Sequence, residues 1–289
     1  MKLLSFSIGL AVAAAWLGVS ASAGRANVRS LTMLVMEPLA APLSCPCVEG
    51  YAQRKYEVLA SHLEKSLGRP VKVVFAEALE TALKGEAKGG VDLIIGKHSV
   101  VRADAKSQNI ATTPLAHLTG KVGTTTQTGL IVVCNDDPAK SVADLKDYRI
   151  FFGPSECDEK HSAAVRLLTK SGVRIPQNLE TDPACSEGAS KVVDLGPNAQ
   201  AAAVISSYAA PLLEGCGTIK KGDLRVVGET EPVPFITAFT SAAVDAQLRH
   251  QLAESLGSVG AEAKVLSALE SLIGFLPVET SATAAVKKK

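Results

Sequence analysis

Residues 148–172 read YRIFFGPSECDEKHSAAVRLLTKSG. The stretch divides into an apolar strand, Arg149 to Phe152, a Gly153-Pro154 turn, and a helix from Asp158 to Ser171. The start of that helix carries Ser155, Cys157, His161 and three acids, Glu156, Asp158 and Glu159. Parallel α/β sheets hold small molecules where strands end and helices begin, so this loop is expected to line a ligand cleft.

The same alternation extends in both directions. Upstream, the apolar run Val28 to Met36 precedes a helix in which Ala52, Tyr56, Leu59, Leu63 and Leu67 recur at three-to-four spacing until Gly68 and Pro70 stop it. Strand Val71 to Phe75, helix Ala78 to Leu83 and strand Val91 to Ile95 follow. After the polar stretch Gly120 to Gly129 come strand Leu130 to Cys134, then downstream of the central loop helix Glu187 to Val193 and strands Ala202 to Ile205 and Leu224 to Val227. A second polar, proline-bearing stretch, Gly228 to Pro234, mirrors the first. Beyond it lie a strand, Phe235 to Thr240, and two helices, Asp245 to Leu256 and Glu262 to Ile273.

Strands alternating with helices imply an α/β fold of mainly parallel sheets flanked by crossover helices. Two linkers around a central segment imply one lobe inserted into another. Lobe 1 would comprise residues 28–124 and 232–278, lobe 2 residues 125–231, and the tail 279–289 would be unstructured. A double crossing of this kind acts as a hinge that closes on a ligand.

Composition narrows the class. The chain has 289 residues, 47% of them apolar and 20% charged, enough for one large core or two modest ones. Thirty basic residues against 29 acidic ones create no field that would gather nucleic acid or an anionic membrane. Lys2, the apolar run Leu3 to Val19 and the small-residue site Ala21-Ser22-Ala23 read as a secretory signal over residues 1–23. The mature chain is therefore expected outside the cytoplasm, in the periplasm or secreted, with no stable membrane insertion.

Further pieces carry a family resemblance. Lys55 to Val74 (KYEVLASHLEKSLGRPVKVV), Gly90 to Gly96 (GVDLIIG), Ser141 to Phe152 (SVADLKDYRIFF), Gly153-Pro154-Ser155 and Gln200 to Tyr208 (QAAAVISSY) resemble, in that order, the periplasmic solute-binding proteins of the phosphate/phosphonate type. The likeness runs over roughly Leu31 to Val259. It implies a type 2 periplasmic binding fold, a monomer whose two lobes capture a small molecule or ion for an ABC transporter permease, with no catalysis and no cofactor. The implied ligand residues are His98 and Ser99, Thr124, Thr125 and Thr126, Ser155, Glu156 and Cys157, Ser186, and Ser207 with Tyr208. The sequence departs from that family where a serine/threonine/serine run is usual. Ser155-Glu156-Cys157, with Asp158 and Glu159 beyond, places carboxylates at the helix start, each worth about 0.3 to 1 kcal/mol there and each repelling a phosphonate.

Other readings compete for the same residues. Ser155 followed by Asp158 is also a helix capping box. Cys157 and His161, four apart, share a helix face and with Cys45 and Cys47 would offer ligands for copper or zinc, the alternative being a thiol-rich metal-handling or redox protein on the same scaffold. Six cysteines in an exported chain suggest disulfides, with Cys185 and Cys216 as a pair. Cys45 and Cys47 are too close for an unstrained ring, so they pair elsewhere, bind metal or stay reactive. No GxGxxG, Walker-A or HExxH pattern occurs, and an enzyme is not expected.

Overall fold

The computed structural model describes residues 29–44, 48 and 52–278. The signal segment, Cys45, Cys47 and the tail from residue 279 lie outside the described residues.

Lobe 1 is built on a six-stranded sheet of order β13-β4-β12-β3-β1-β2. Its strands are β1 (Leu31–Met36), β2 (Val71–Phe75), β3 (Leu93–Lys97), β4 (Thr112–Leu118), β12 (Ile236–Ser241) and β13 (Phe275–Pro277). Helices α1 (Tyr56–Leu67), α2 (Leu79–Lys84), α3 (His98–Ser107), α7 (Ala246–Ser258) and α8 (Ala263–Ala268) cover its two faces. Lobe 2 holds a five-stranded sheet of order β10-β6-β9-β7-β8. It comprises β6 (Gly129–Cys134), β7 (Arg149–Phe152), β8 (Glu180–Thr181), β9 (Ala201–Ser206) and β10 (Leu224–Glu229), with helices α4 (Ser162–Lys170), α5 (Cys185–Leu195) and α6 (Ala209–Gly215). Between the lobes, β5 (Thr126–Gln127) and β11 (Val233–Pro234) pair antiparallel, tying the two crossings together.

Burial explains the placement. Every residue of β3, β9 and β12 is buried, as central strands covered on both faces must be. In α1 the period of Tyr56, Leu59, Ala60 and Leu63 turns one face inward, and Gly68, at φ 63°, ends the helix with its N–H on the Glu64 carbonyl. Asp245 caps α7 by accepting the Leu248 N–H at 2.7 Å.

The expected two-lobed α/β architecture is present, and within it the sheets are mixed. Strands β1, β2 and β3 run parallel, as do β7, β8 and β9, whereas β12 and β6, which follow the crossings, run antiparallel to their neighbours. A strand that re-enters a lobe through the hinge arrives from the opposite end of the sheet, which reverses its direction. The sequence patterns also missed β4. Pro114 breaks its alternation, and the sheet absorbs it by a register shift opposite Ala238 and Phe239. The last expected helix is shorter than Glu262 to Ile273: α8 ends at Ala268, and the chain turns at Glu270, φ 51°, into β13.

The helix expected from Asp158 begins only at Ser162. Residues 153–161 instead form stacked turns, with Cys157 N–H on the Pro154 carbonyl and Lys160 and His161 N–H on the Cys157 carbonyl. The Gly153 N–H closes the loop on the Lys160 carbonyl at 3.2 Å. The capping box expected at Ser155 and Asp158 is therefore corrected: the residue before the helix is His161, without a side-chain cap, and Ser155 is exposed against Glu156. A reciprocal box does form elsewhere, between Ser141 and Asp144.

Candidate functional site

The carboxyl ends of β1, β3, β7, β8 and β9 open onto one cavity of about 620 Å³ between the lobes. That volume suits a small molecule. Lobe 1 contributes the loop after β1, including Glu37, Leu39 and Leu43, and Lys97 with Val100 after β3. Lobe 2 contributes Pro154, Glu156, Cys157 and Lys160 after β7, Ala184 to Ser186 at the start of α5, and Tyr208 to Leu213 after β9. Much of the wall is apolar; of its charged residues, Glu37 and Lys97 are ion-paired, whereas Glu77, Glu156 and Lys160 form no ion pair among the described residues.

Glycines set the floor. A Cβ on Gly129 would stand 2.0 Å from the Glu159 carbonyl oxygen, and one on Gly153 would stand 2.5 Å from the Lys160 Cβ. Both approaches exist because glycine lacks that carbon. They let the 153–161 loop descend onto β6 and drive Glu159 and Lys160 inward, to 0% and 4% exposure.

Glu159 meets Lys97, 6% exposed, at 2.6 Å. Its Oε1 also accepts the Ser206 hydroxyl at 2.6 Å, and Lys97 donates toward the Cys157 sulfur at 3.6 Å. Burial alone would lower the Lys97 pKa, but the Glu159 carboxylate outweighs it and holds the ammonium well above its ordinary value. Burial likewise pushes the Glu159 carboxyl up, and the attraction of Lys97 brings it below the usual range. Burial raises the Cys157 thiol, with Lys97 and Lys160 pulling part of the way back. On the lobe 1 side, Glu37 faces Arg54 at 3.2 Å and accepts from the Tyr56 hydroxyl at 3.3 Å. Lys160 differs from these: its Nζ reaches the Pro183 carbonyl at 3.4 Å, and it has no carboxylate partner among the described residues.

The residues expected from the sequence are distributed unevenly. Glu156, Cys157, Ser186 and Tyr208 line the cavity. Ser99 instead accepts the Asp158 N–H at 3.2 Å, a contact between lobes, and His98 shares the Thr237 hydroxyl with His117 at 3.0 and 2.8 Å. Thr124, Thr126 and Ser207 border a second cavity of about 430 Å³ beside the crossing, separated from the first by Leu39, Tyr208 and Leu212. Thr125 acts through its backbone, accepting the Phe235 N–H at 2.9 Å. Sequence reading missed Lys160 and Glu37, reached Lys97 only as the first residue of the loop after an apolar strand, Ile95-Gly96-Lys97, and took Glu159 for an acid facing the ligand rather than the partner of Lys97.

One cysteine expectation is corrected. Cys185 and Cys216 are not joined; both thiols are free and both line the cavity. Each is held within its own neighbourhood, Cys185 by the Ser206 N–H at 3.4 Å and Cys216 by Thr218 at 3.0 Å. Of the expected metal set, Cys157 and His161 are described, and Cys45 and Cys47 lie outside the described residues. The His161 Nδ1–H donates to the Gly153 carbonyl at 2.9 Å, and no group of three or more His, Cys, Asp or Glu among the described residues is arranged for a metal ion.

A cavity between two α/β lobes, walled by loops from both and flanked by a paired double crossing, defines a two-lobed solute-binding protein. No curated protein matches the chain significantly in sequence. Residues 50–283 match the family described as ABC transporter, phosphonate, periplasmic substrate-binding protein, and the chain belongs to that family. Solved structures share the fold at low identity. A Xanthomonas citri protein bound to ATP is 15% identical, with a TM-score of 0.63 over 90% of this chain and 94% of that one. A binding protein component of an ABC phosphonate transporter from Pseudomonas aeruginosa is 14% identical, with a TM-score of 0.63 over 90% and 84%. PhnD1 from Prochlorococcus marinus in complex with methylphosphonate is 13% identical, with a TM-score of 0.61 over 90% and 96%. The chain is thus a substrate-binding component of an ABC transporter, and among its described residues no helix is long and apolar enough to cross a membrane.

Proposed function

We propose that the cavity takes a small organic oxyanion, holds its charged end at Lys160 and its apolar part against the Leu39, Leu43 and Leu212 wall, and presents it to a permease by closure of the lobes about the double crossing. The carrying observation is Lys160, a buried ammonium in the cavity wall with no carboxylate of its own among the described residues. A cation left in that state is stabilised by whatever anion enters. The methylphosphonate complex of PhnD1 is consistent with an organic oxyanion here. In this reading the chain carries out no chemistry, works as a monomer after removal of residues 1–23, and acts in the periplasm. Residues 28–124 with 232–278 and residues 125–231 move as the two lobes.

Calorimetric titration with methylphosphonate, inorganic phosphate and alkanesulfonates tests the reading. At least one should bind, and Lys160→Met should weaken that ligand tenfold or more. X-ray scattering should show the protein contracting when the ligand is added. Equal binding by wild type and Lys160→Met would overturn the role of Lys160.

A further inference from the structure

We infer that Glu159 is a specificity-determining residue: a tethered carboxylate that occupies the Lys97 subsite and keeps a second ligand anion out of the cleft. The inference rests on the solute-binding reading above and deepens it. Lys97 belongs to lobe 1 and lines the cavity, whereas Glu159 comes from lobe 2 and lies behind that wall. An anion approaching Lys97 from the cavity therefore meets an ammonium already neutralised from the other side.

Three observations bear on the role of this carboxylate. Glu159 Oε1 takes both Lys97 and Ser206 at 2.6 Å, while Oε2 is buried with no donor among the described residues. The same pattern recurs at Asp182, whose Oδ1 pairs with Lys191 while Oδ2 is buried without a donor, so the weight falls on where Glu159 stands rather than on its open oxygen. Next, adjacent residues are treated in opposite ways: position 159 supplies an anion to one cavity lysine, and at position 160 the second lysine has none among the described residues. Finally, Gly129 and Gly153 remove the Cβ atoms that would block this loop, so the backbone is shaped to deliver both side chains to the floor. The outcome is a cleft with a single open cationic position among the described residues, suited to one anionic group rather than two.

Calorimetry with methylphosphonate and inorganic phosphate, on the full chain after signal removal, decides the matter. Glu159→Ala, with its fold checked by circular dichroism, should bind inorganic phosphate at least tenfold tighter than wild type. The double variant Lys97→Met/Glu159→Leu, neutral at both positions, should show no gain. If Glu159→Ala does not fold, Glu159→Gln preserves the shape and should move affinity in the same direction. A folded Glu159 variant with unchanged or weaker phosphate binding would overturn the inference. Failure of the Lys160 reading is separate, since it appears as unaltered binding by Lys160→Met whatever Glu159 does.

Discussion

Lys97 Nζ and Glu159 Oε1 lie 2.6 Å apart although 62 residues and the gap between two lobes separate them in the chain. The contact is nearly free of solvent, so removing one partner leaves a buried charge alone. Such losses cost about 3–5 kcal/mol, whereas apolar replacement of both partners is often neutral. Lys97→Met should therefore be strongly destabilised in urea unfolding, and Lys97→Met/Glu159→Leu should recover most of the difference. An additive double variant would show that the pair is not coupled.

The same pair sets a pH window. The Glu159 carboxyl is held below its unfolded value, so its contribution is present above about pH 4.3 and is lost as pH falls through the lower folded value. Lys97 is held above its unfolded value, so its contribution is present below about pH 10.4 and is lost only as pH rises through the higher folded value. Urea midpoints measured against pH should fall less steeply at the acid end in Glu159→Gln than in wild type. Parallel acid limbs in the two proteins would contradict this.

His98 titrates in a different range. Burial, then the neighbouring His117 and Arg102, lower its pKa to about 4, with Asp158 opposing them. Its folded value is depressed, so stability present above about pH 6.5 declines as pH falls toward 4. His98→Gln should flatten that part of the stability profile, and proton NMR of the His98 ring should show no protonation at pH 6.

Gly129 allows no side chain. Its Cβ would stand 2.0 Å from the backbone oxygen of Glu159, a contact that no rotamer relieves. Gly129→Ala should cost about 1–3 kcal/mol by overpacking and weaken ligand binding by displacing the 153–161 loop. Unchanged stability, measured by thermal and chemical unfolding, would mean that the loop moves freely.

The free thiols give a reading of occupancy. Cys185 and Cys216 line the cavity, whereas Cys134, also free, ends β6 away from it. Bound ligand should slow alkylation of Cys185 and Cys216, followed by peptide mass mapping, and leave Cys134 unaffected. Equal rates at all three with saturating ligand would place the ligand elsewhere.

Most strands and long helices could be read along the chain, because their signals are local: the period of Tyr56 to Leu67, the apolar run of β7, the glycine after α1. Where reading failed, a distant partner had decided the outcome. Pro114 argues against a strand until β12 pairs with it through Phe239, at the end of β4 that β13 does not reach. Ser155 and Asp158 look like a helix cap until Gly153 and Gly129 draw the loop inward.

The site divides along the same line. Periodicity and turn residues determine two α/β lobes and point to the loop after Phe152, since each of those preferences is satisfied within a few residues. Which charges face the ligand depends on the balance of desolvation and pairing across the cleft. That balance exists only once Lys97 and Glu159 have been brought together and Lys160 left without a carboxylate among the described residues.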